Sequence, residues 1–308
     1  MRIGAIEAGG TKFVCGTGDE HGRIADQISF PTEHPDQTLP KVIDYFRDRQ
    51  VEAIGIGSFG PIDLRPDSPT YGYVTTTPKP GWANFDWLGT LKQVFDVPIG
   101  WDTDVNAAVY GEVKWGAAQG LSNCLYMTIG TGVGVGVYSE GKRVHGLVHP
   151  EGGHVLTRRH PEDHFTGICP YHGDCLEGMA AGPALEARWG KKGHELPADH
   201  KAWEIEAFYI AQSLTGMILL QSPQKIILGG GVMQQLQLYP LIREAVLRNL
   251  NGYVSSGTIL DHMDEYIAAP ALGQQAGLYG ALALGLEAMQ LVSVPAGNEA
   301  GFSIRNAT

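Results

Sequence analysis

The stretch RIGAIEAGGTKFVCGT, residues 2–17, predicts two β-strands, at 2–8 and 12–17, around the turn Ala8-Gly9-Gly10-Thr11. Apolar residues fill both segments, and the glycine pair stands where the chain must reverse direction. The segments that follow predict a strand at 23–30, a helix at about 36–49, and strands at 53–57 and 97–101. Strands that alternate with helices indicate an α/β architecture.

The same arrangement returns further along the chain, at residues 125–137. A strand-like segment at 125–129 runs into Gly130-Thr131-Gly132, and a second one follows at 133–137. A strand, a Gly/Thr turn and another strand therefore occur twice, as a duplicated two-lobed fold would require. The remaining segments predict a strand at 225–228, which leads into Gly229-Gly230-Gly231, and helices at 177–189, 202–221, 235–250 and 274–289.

The composition is that of a globular protein rather than of a nucleic-acid or membrane protein. Of 308 residues, 43% are hydrophobic and 18% are charged, so the chain can bury a core. The formal net charge of −11 argues against nucleic acid as a partner, because phosphate backbones are bound by faces rich in Lys and Arg. The N-terminus lacks the apolar segment of a signal peptide, and no run of about 18 apolar residues exists. We therefore expect a cytoplasmic protein without a membrane partner.

The two Gly/Thr turns have the composition of phosphate-binding loops. Successive glycines expose backbone N–H groups with no side chain in the way, while Thr11, Thr131 and Lys12 add hydroxyls and a cation. Each turn taken alone is more simply explained as a tight hairpin in which glycine supplies a positive φ. The repetition, and a third glycine cluster at 229–231, favour nucleotide binding. Glu7, beside the first turn, is a candidate to hold magnesium through water.

The segment Trp101-Asp102-Thr103-Asp104-Val105-Asn106 follows a predicted strand and opens a helix. A carboxylate at such a junction can face a cleft at the carboxyl end of a sheet. Phosphoryl transfer to a hydroxyl needs a base to take the proton, and Asp104 is the candidate. The alternative is that Asp104 or Asp102 only caps the helix, which is the commoner role of Asp at this position.

The second half also holds a group of metal-binding side chains: His149, His154, Cys169, His172 and Cys175. The last three form a Cys-x2-His-x2-Cys pattern, and one further His completes the four ligands of a closed, structural zinc site. His154 is the preferred fourth ligand and His149 its competitor. Zinc would also fix the neighbouring Glu151 and Glu177, whose carboxylates can accept hydrogen bonds from sugar hydroxyls. The alternative is two free thiols among unrelated histidines.

Together these motifs resemble those of the ROK-family sugar kinases (repressor, open reading frame, kinase). The matching segments, in the order found in the family, are 7–12, 103–106, 130–134, 151–154, 173–177 and 229–231. Within the family the chain is most similar to the bacterial zinc-containing fructokinases, which share Glu-Ala-Gly-Gly-Thr-Lys near the start and His-Pro-Glu-x-Gly-His in the middle. The resemblance extends to about residue 288.

The resemblance implies an actin/hexokinase-like (ribonuclease H-like) fold with two α/β lobes and an active site in the cleft between them. With the pattern of elements, it suggests lobes at 1–117 and 118–273, the second carrying the zinc loop. A helix at about 274–290 would be able to pack back on the first lobe, and a mobile tail would follow at 292–308.

The resemblance also implies ATP-dependent phosphorylation of D-fructose to D-fructose 6-phosphate, with Asp104 as general base. It further suggests a homodimer and a requirement for magnesium. By position, the expected sugar contacts are Gly60, Thr103, Asn106, Glu151, His154 and Glu177. The expected ATP contacts are Gly9, Gly10, Thr11, Lys12, Thr131, Gly132, Pro183, Gly229, Gly230 and Gly231.

Two departures from the family pattern stand out. Glu7 replaces the usual Asp of the first phosphate motif, so the carboxylate sits one methylene further out. The usual zinc motif has three Cys with the spacing Cys-x-Cys-x4-Cys, whereas this chain has Cys-x2-His-x2-Cys. His154 is expected to serve both zinc and sugar, one ring nitrogen for each.

Three other functions agree with part of these observations. A kinase for mannose, glucose or N-acetylmannosamine would use the same site. A sugar-responsive repressor of the same family would carry an N-terminal helix-turn-helix segment, and the net charge is unfavourable for DNA. A structural actin-like ATPase would have no evident use for the Cys/His cluster.

Overall fold

The computed structural model describes residues 1–293, which contain two five-stranded sheets and the helices around them. The tail predicted at 292–308 lies outside this range, except for Val292 and Ser293, with which the last helix ends. None of the described helices combines the length and the apolar character needed to cross a membrane.

The strands of this part of the chain are β1 Ile3–Ala8, β2 Lys12–Gly18, β3 Ile24–Pro31, β4 Ala53–Ser58, β5 Tyr73–Val74, β6 Phe85–Asp86, β7 Ile99–Thr103, β8 Cys124–Ile129, β9 Val133–Ser139, β10 Lys142–Arg143, β11 Lys225–Gly229 and β12 Ile267–Ala268. The α-helices are α1 Pro35–Arg47, α2 Trp87–Lys92, α3 Asp104–Trp115, α4 Leu176–Ala180, α5 Gly182–Trp189, α6 Ala202–Gln221, α7 Leu238–Leu250, α8 Gly257–Asp261, α9 Met263–Tyr266 and α10 Ala276–Ser293. Short 3-10 turns occur at Gly152–His154, Gly193–Glu195, Val232–Gln234 and Gly273–Gln275.

The first sheet has the strand order β3-β2-β1-β4-β7. β1 is antiparallel to β2 and parallel to β4, which in turn is parallel to β7. The central strands β1 and β4 are buried almost throughout, as expected for parallel strands covered on both faces. The register pairs Ala8 with Ser58 and Ser58 with Thr103. The residues that follow these three strands therefore lie at one edge of the sheet.

The second sheet repeats this order as β10-β9-β8-β11-β12, with the same pattern of strand directions. The hairpin β8–β9 takes the place of β1–β2, and β11 takes the place of β4. The register pairs Thr128 with Gly229, so the glycine turns that follow β8 and β11 also share an edge. The duplication predicted from the two Gly/Thr turns is confirmed, and with it the two-lobed α/β fold.

Helices α3 and α10 connect the two sheets. α10 packs on the first sheet, where Leu278, Ala281 and Leu282 join a buried cluster with residues of β1, β2 and β4. α3 packs on β9 and also on α10. The two helices approach so closely at Gly111 that a Cβ atom there would lie 2.7 Å from both the Ala276 oxygen and the Gly280 nitrogen. Glycine is required at this crossing because no side chain fits.

The segment predicted as one helix at 177–189 forms two helices, α4 and α5. Ala181 between them is extended, and the Gly182 N–H donates to the Gly130 carbonyl oxygen at 2.7 Å. This bond to the second Gly/Thr turn interrupts the helix, and it depends on a segment that is remote in the chain. The short elements β5, β6, α2, α8 and α9 were not predicted, because each is too brief to show a periodic pattern.

Candidate active site

A cavity of about 1140 Å³ is lined by both lobes at the edges where the Gly/Thr turns lie. Most of the candidate site residues selected from the sequence line this cavity: Glu7, Gly9, Gly10, Thr11, Lys12, Gly60, Thr103, Asp104, Thr131, Gly132, Glu151, His154, His172, Glu177, Pro183, Gly230 and Gly231. Residues far apart in the chain therefore line one space.

The two Gly/Thr turns meet across this cavity. The hydroxyl oxygens of Thr11 and Thr131 lie 3.0 Å apart, within hydrogen-bonding distance. Glu177 holds the second turn in place, because its Oε2 accepts a hydrogen bond from the Val133 N–H at 3.0 Å. A Cβ atom on Gly132 would lie 2.6 Å from the same oxygen, so a residue with a side chain would clash with Glu177 at this position. Backbone N–H groups, hydroxyls and the nearby Lys12 thus converge in a way that suits phosphate oxygens.

Thr103, not an aspartate, caps helix α3. Its hydroxyl oxygen accepts a hydrogen bond from the Asn106 N–H at 3.1 Å, so the interpretation of Asp102 or Asp104 as the cap is wrong. Asp104 is the first helical residue, and its Oδ1 accepts a hydrogen bond from the adjacent Val105 N–H at 2.8 Å. Burial raises the pKa of Asp104 to about 6, although backbone N–H groups act in the opposite direction. A carboxylate with such a pKa is suited to accept a proton near neutral pH.

Asn106 does not reach the cavity, contrary to the expectation of a sugar contact. Its side chain is 1% exposed and donates to Asp102 Oδ1 at 2.9 Å, while its oxygen accepts from the Val137 N–H at 3.2 Å. Asp102 is fully buried and also accepts from Arg143 Nε at 2.7 Å. Asn106 therefore links the start of α3 to strand β9 of the other lobe. Its side-chain amide is engaged in these hydrogen bonds rather than directed to the cavity.

Gly229 is a second predicted contact that does not line the cavity. It is the buried last residue of β11, and a Cβ atom there would clash with the ring of Tyr126. Gly230 and Gly231, which follow the strand, do line the cavity. Gly230 has a φ of +93°, and a side chain there would also clash with the backbone of Ile129.

Glu7 lies near the end of β1, in the same sheet as strand β7, which leads into Asp104. Burial and the negative charge of Asp104 raise the pKa of Glu7 to about 7, while Lys12 acts in the opposite direction. The Glu7 side chain lies against α10, where a Cβ atom on Gly277 would be 2.7 Å from the carboxyl carbon. The charge of a bound cation would stabilise the ionised form of Glu7, so this carboxylate is a candidate to hold a divalent metal ion.

His149 and Gly60 form one wall of the cavity. The buried His149 ring accepts a hydrogen bond at Nε2 from the Ile62 N–H at 3.0 Å, and its Nδ1 lies 3.4 Å from Glu151 Oε1. Burial lowers the pKa of His149, which favours the neutral ring that this acceptor role requires. Burial and the charges of Asp104 and Glu177 raise the pKa of Glu151 to about 7. Three acids with raised pKa values therefore border the same space.

Four potential metal ligands come together beside the cavity. The ligand atoms of His154, Cys169, His172 and Cys175 all lie within 4.8 Å of one another. His154 Nδ1 is 3.7 Å from the Cys169 sulfur and 3.5 Å from the Cys175 sulfur, and His172 Nδ1 is 3.6 Å from the former. Such spacings fit a tetrahedron with metal–ligand bonds of about 2.0–2.3 Å, as zinc prefers. His149 is engaged with Ile62 instead, so the structure places His154 in the fourth position.

Several side chains that line the cavity were not selected from the sequence: Phe59, Lys79, Lys192, His194 and Gln235. Of these, Lys79 contacts the first turn through its side chain, since its ammonium group donates a hydrogen bond to the Gly10 carbonyl oxygen. It belongs to the loop between β5 and β6, which has no periodic pattern. The sole local signal is a proline on each side of Lys79, which restricts the backbone of the loop.

Comparison with known sequences agrees with this geometry. The profile of the ROK family matches residues 3–288. The fructokinase of Pediococcus pentosaceus is 51% identical over 290 residues, which cover 94% of this chain and 99% of that protein. The fructokinase of Zymomonas mobilis subsp. mobilis is 42% identical over 294 residues, which cover 92% of this chain and 96% of that protein.

Solved structures lead to the same family. A ROK family glucokinase from Streptomyces griseus, in complex with glucose and AMPPNP, superimposes with a TM-score of 0.76 at 25% identity, covering 93% of this chain and 100% of that one. The ROK hexokinase from Thermus thermophilus has the same TM-score at 27% identity, covering 96% of this chain and 100% of that one. The shared motifs, the duplicated fold and these matches over nearly the whole length show that the chain belongs to the ROK family.

Proposed function

We propose that this protein transfers the γ-phosphoryl group of ATP to the 6-hydroxyl of D-fructose. The observation that carries the proposal is that Asp104 and the Gly/Thr turns of both lobes line one cavity. The substrate is inferred from fructokinases that are 42–51% identical to this chain over most of its length. Glucokinases such as that of Streptomyces coelicolor are only 26% identical, so fructose is favoured over glucose.

In the proposed reaction Asp104 is the general base. The 6-oxygen of fructose attacks the γ-phosphorus, the bond between this phosphorus and the bridging oxygen of ADP breaks, and the hydroxyl proton passes to the Asp104 carboxylate. Asp104 is held by the first turn of α3, where its Oδ1 accepts from the Val105 N–H, and its other carboxylate oxygen would face the sugar. With a pKa of about 6, it is ionised and a sufficient base at neutral pH.

The ATP phosphates would lie between the two Gly/Thr turns. Thr11 and Thr131 offer hydroxyls from opposite lobes. The turns would add N–H groups from 10–12 and 131–132, since the Gly9 and Gly130 N–H groups bond to Lys12 and Gly132 within the turns. Magnesium, when bound, would neutralise charge on the phosphate oxygens. Glu7 would hold it through water, since its partly buried carboxylate lines the cavity and forms no ion pair within 4.0 Å among residues 1–293. The remaining ATP contacts would come from Pro183, Gly230 and Gly231.

The sugar would lie on the side of the cavity formed by Gly60, Thr103, Glu151 and His154. Glu177 would contribute one carboxylate oxygen, because the other already binds the Val133 N–H. His154 turns Nδ1 toward the Cys/His cluster and leaves Nε2 for a sugar hydroxyl. Zinc bound by the cluster would have no open position and would hold the loop that carries these groups.

The family resemblance also suggests a homodimer that works in the cytoplasm, where ATP is available. Analytical ultracentrifugation of the purified protein tests the dimer. A single species with the mass of one chain would contradict it.

The test of the function is a coupled assay of ADP release with fructose, mannose, glucose and N-acetylmannosamine. We expect fructose to have the highest kcat/KM and phosphate to be found on its 6-oxygen. Asp104→Asn should reduce kcat by about 10²-fold or more while the affinities for ATP and fructose change little. Asp44→Asn, an equivalent change on an exposed surface ion pair, is the control. Near-normal turnover by the Asp104 variant would refute the assignment.

A further inference from the structure

A lysine outside the motifs, Lys79, occupies a position beside the phosphate turn of the first lobe. Its ammonium group donates to the Gly10 carbonyl oxygen. A Cβ atom on Gly10 would lie 3.0 Å from Lys79 Cε and 3.1 Å from Nζ, so the lysine lies directly over this glycine. Like Glu7, Thr11 and Asp104, it lines the cavity. The ammonium group is therefore placed within reach of whatever binds between the turn and the base.

The charge of Lys79 is not balanced by the protein. Within residues 1–293 no carboxylate lies within 4.0 Å of its nitrogen, and its neighbours are the neutral Gly10 carbonyl and the ring of Phe59, with Nζ 5.5 Å from the ring centroid. The side chain is half-buried, and this burial lowers the pKa of Lys79. A partly desolvated cation with only neutral neighbours interacts strongly with an incoming anion.

The surrounding carboxylates explain why such a cation is useful. Glu7, Asp104, Glu151 and Glu177 all border the cavity, and they would repel the negatively charged phosphoryl group. Lys12 on the same turn is exposed, whereas Lys79 closes over the turn from a separate loop. A cation held in place where negative charge develops stabilises the transition state more than a mobile surface cation does.

We propose that Lys79 binds the phosphoryl group during its transfer and, after transfer, the 6-phosphate of the product. This inference rests on the proposed function and adds a phosphoryl-binding residue to it. The Lys79 nitrogen would exchange the Gly10 carbonyl for a phosphoryl oxygen, which is the stronger, charge-assisted partner. Lys79 takes no proton in the reaction, because Asp104 serves as the base.

The experiment compares Lys79→Met, Lys79→Gln and Lys79→Arg with the wild type. We measure kcat, the dissociation constant of fructose and the inhibition constant of fructose 6-phosphate. Loss of the charge should lower kcat by about 10²-fold, as for the removal of one donor to a developing anion. Binding of fructose 6-phosphate should weaken at least about tenfold, while fructose binding changes less than about twofold. Lys79→Arg should restore part of both losses.

Lys92→Met is the matched control. Lys92 lies in the same lobe with its nitrogen 5.9 Å from the centre of the Tyr71 ring, but it does not line the cavity. Its loss should leave all three quantities unchanged. If Lys79→Met does not fold, Lys79→Gln gives the same comparison, and circular dichroism identifies the folded variants.

The outcomes separate this inference from the proposed function. A wild-type protein that phosphorylates no hexose would refute the function itself. If the wild type is active and both neutral variants keep kcat and fructose 6-phosphate inhibition within about twofold, Lys79 does not bind the phosphoryl group. Equal weakening of fructose and fructose 6-phosphate would assign Lys79 to the sugar hydroxyls and would also overturn the proposal.

Discussion

The hydroxyl oxygens of Thr11 and Thr131 lie 3.0 Å apart, although 120 residues separate them along the chain. Each belongs to the Gly/Thr turn of a different lobe, and the two turns occupy equivalent places in sheets of the same strand order. The contact therefore lies between equivalent points of the two lobes. It also brings the two predicted phosphate loops close enough to bind one nucleotide.

Removing either hydroxyl tests this arrangement. Thr11→Val and Thr131→Val should each lower kcat/KM for ATP about tenfold, the effect of losing one hydrogen bond to a charged group. The dissociation constant of fructose should stay within about twofold, because the sugar would bind on another side of the cavity. Thr11→Ser and Thr131→Ser keep the hydroxyl and serve as controls. Valine variants with unchanged kinetics for ATP would mean that neither hydroxyl contacts the nucleotide.

The raised pKa of Asp104 predicts the acid limb of the pH–rate profile. A general base must be ionised, and burial raises the pKa of Asp104 to about 6. The value of kcat/KM for fructose should therefore fall as the pH drops below about 6 and reach a plateau at about 7 to 8. In Asp104→Asn the residual rate should lack this limb. A wild-type profile that stays flat down to pH 5 would argue against Asp104 as the titrating base.

The Cys/His cluster predicts bound zinc with a defined fourth ligand. Purified protein should contain about one zinc ion per chain, measured by atomic emission, and a strong chelator should lower both the melting temperature and the activity. His154→Asn and Cys169→Ser should lose most of the metal, because both side chains belong to the cluster. His149→Asn, whose ring binds the Ile62 N–H instead, should keep it. Zinc loss in the His149 variant alone would reverse the ligand assignment.

The contact between Glu7 and Gly277 predicts a coupled pair. A Cβ atom at Gly277 would lie 2.7 Å from the Glu7 carboxyl carbon, so Gly277→Ala should displace this carboxylate and reduce kcat/KM by about 10- to 100-fold. Adding Glu7→Asp shortens the side chain by one methylene and should recover part of the loss. Such recovery is a measure of direct coupling between the two positions.

Gly216→Ala is the matched control for this pair. Gly216 also lies in a helix, but nothing lies within 4 Å of a Cβ atom placed there. The substitution should keep full activity and raise the free energy of unfolding by about 0.5–1 kcal/mol. If the Gly277 variant were as active as the Gly216 variant, the close contact between Glu7 and Gly277 would not contribute to catalysis.

Much of the fold was predictable because its signals are local. The strand–turn–strand segment at 2–17 and its counterpart after residue 124 carry the duplication, and the helix predicted to open within 101–106 is confirmed as α3. The break between α4 and α5 was not predicted, since it depends on the bond from Gly182 to Gly130. Lobe limits at 1–117 and 118–273 stay a prediction.

The amino-acid sequence by itself determined which residue types were available for chemistry: glycine turns with Thr, Asp residues at the start of a helix, and three Cys and His side chains able to bind zinc within seven positions. Each of these depends on neighbours in the chain, so spacing reveals it. Only the tertiary structure decided between His154 and His149, withdrew Asn106 into the core, and brought Lys79 over Gly10. The physical reason is that these three outcomes depend on contacts between segments of different loops and lobes, which no local pattern encodes.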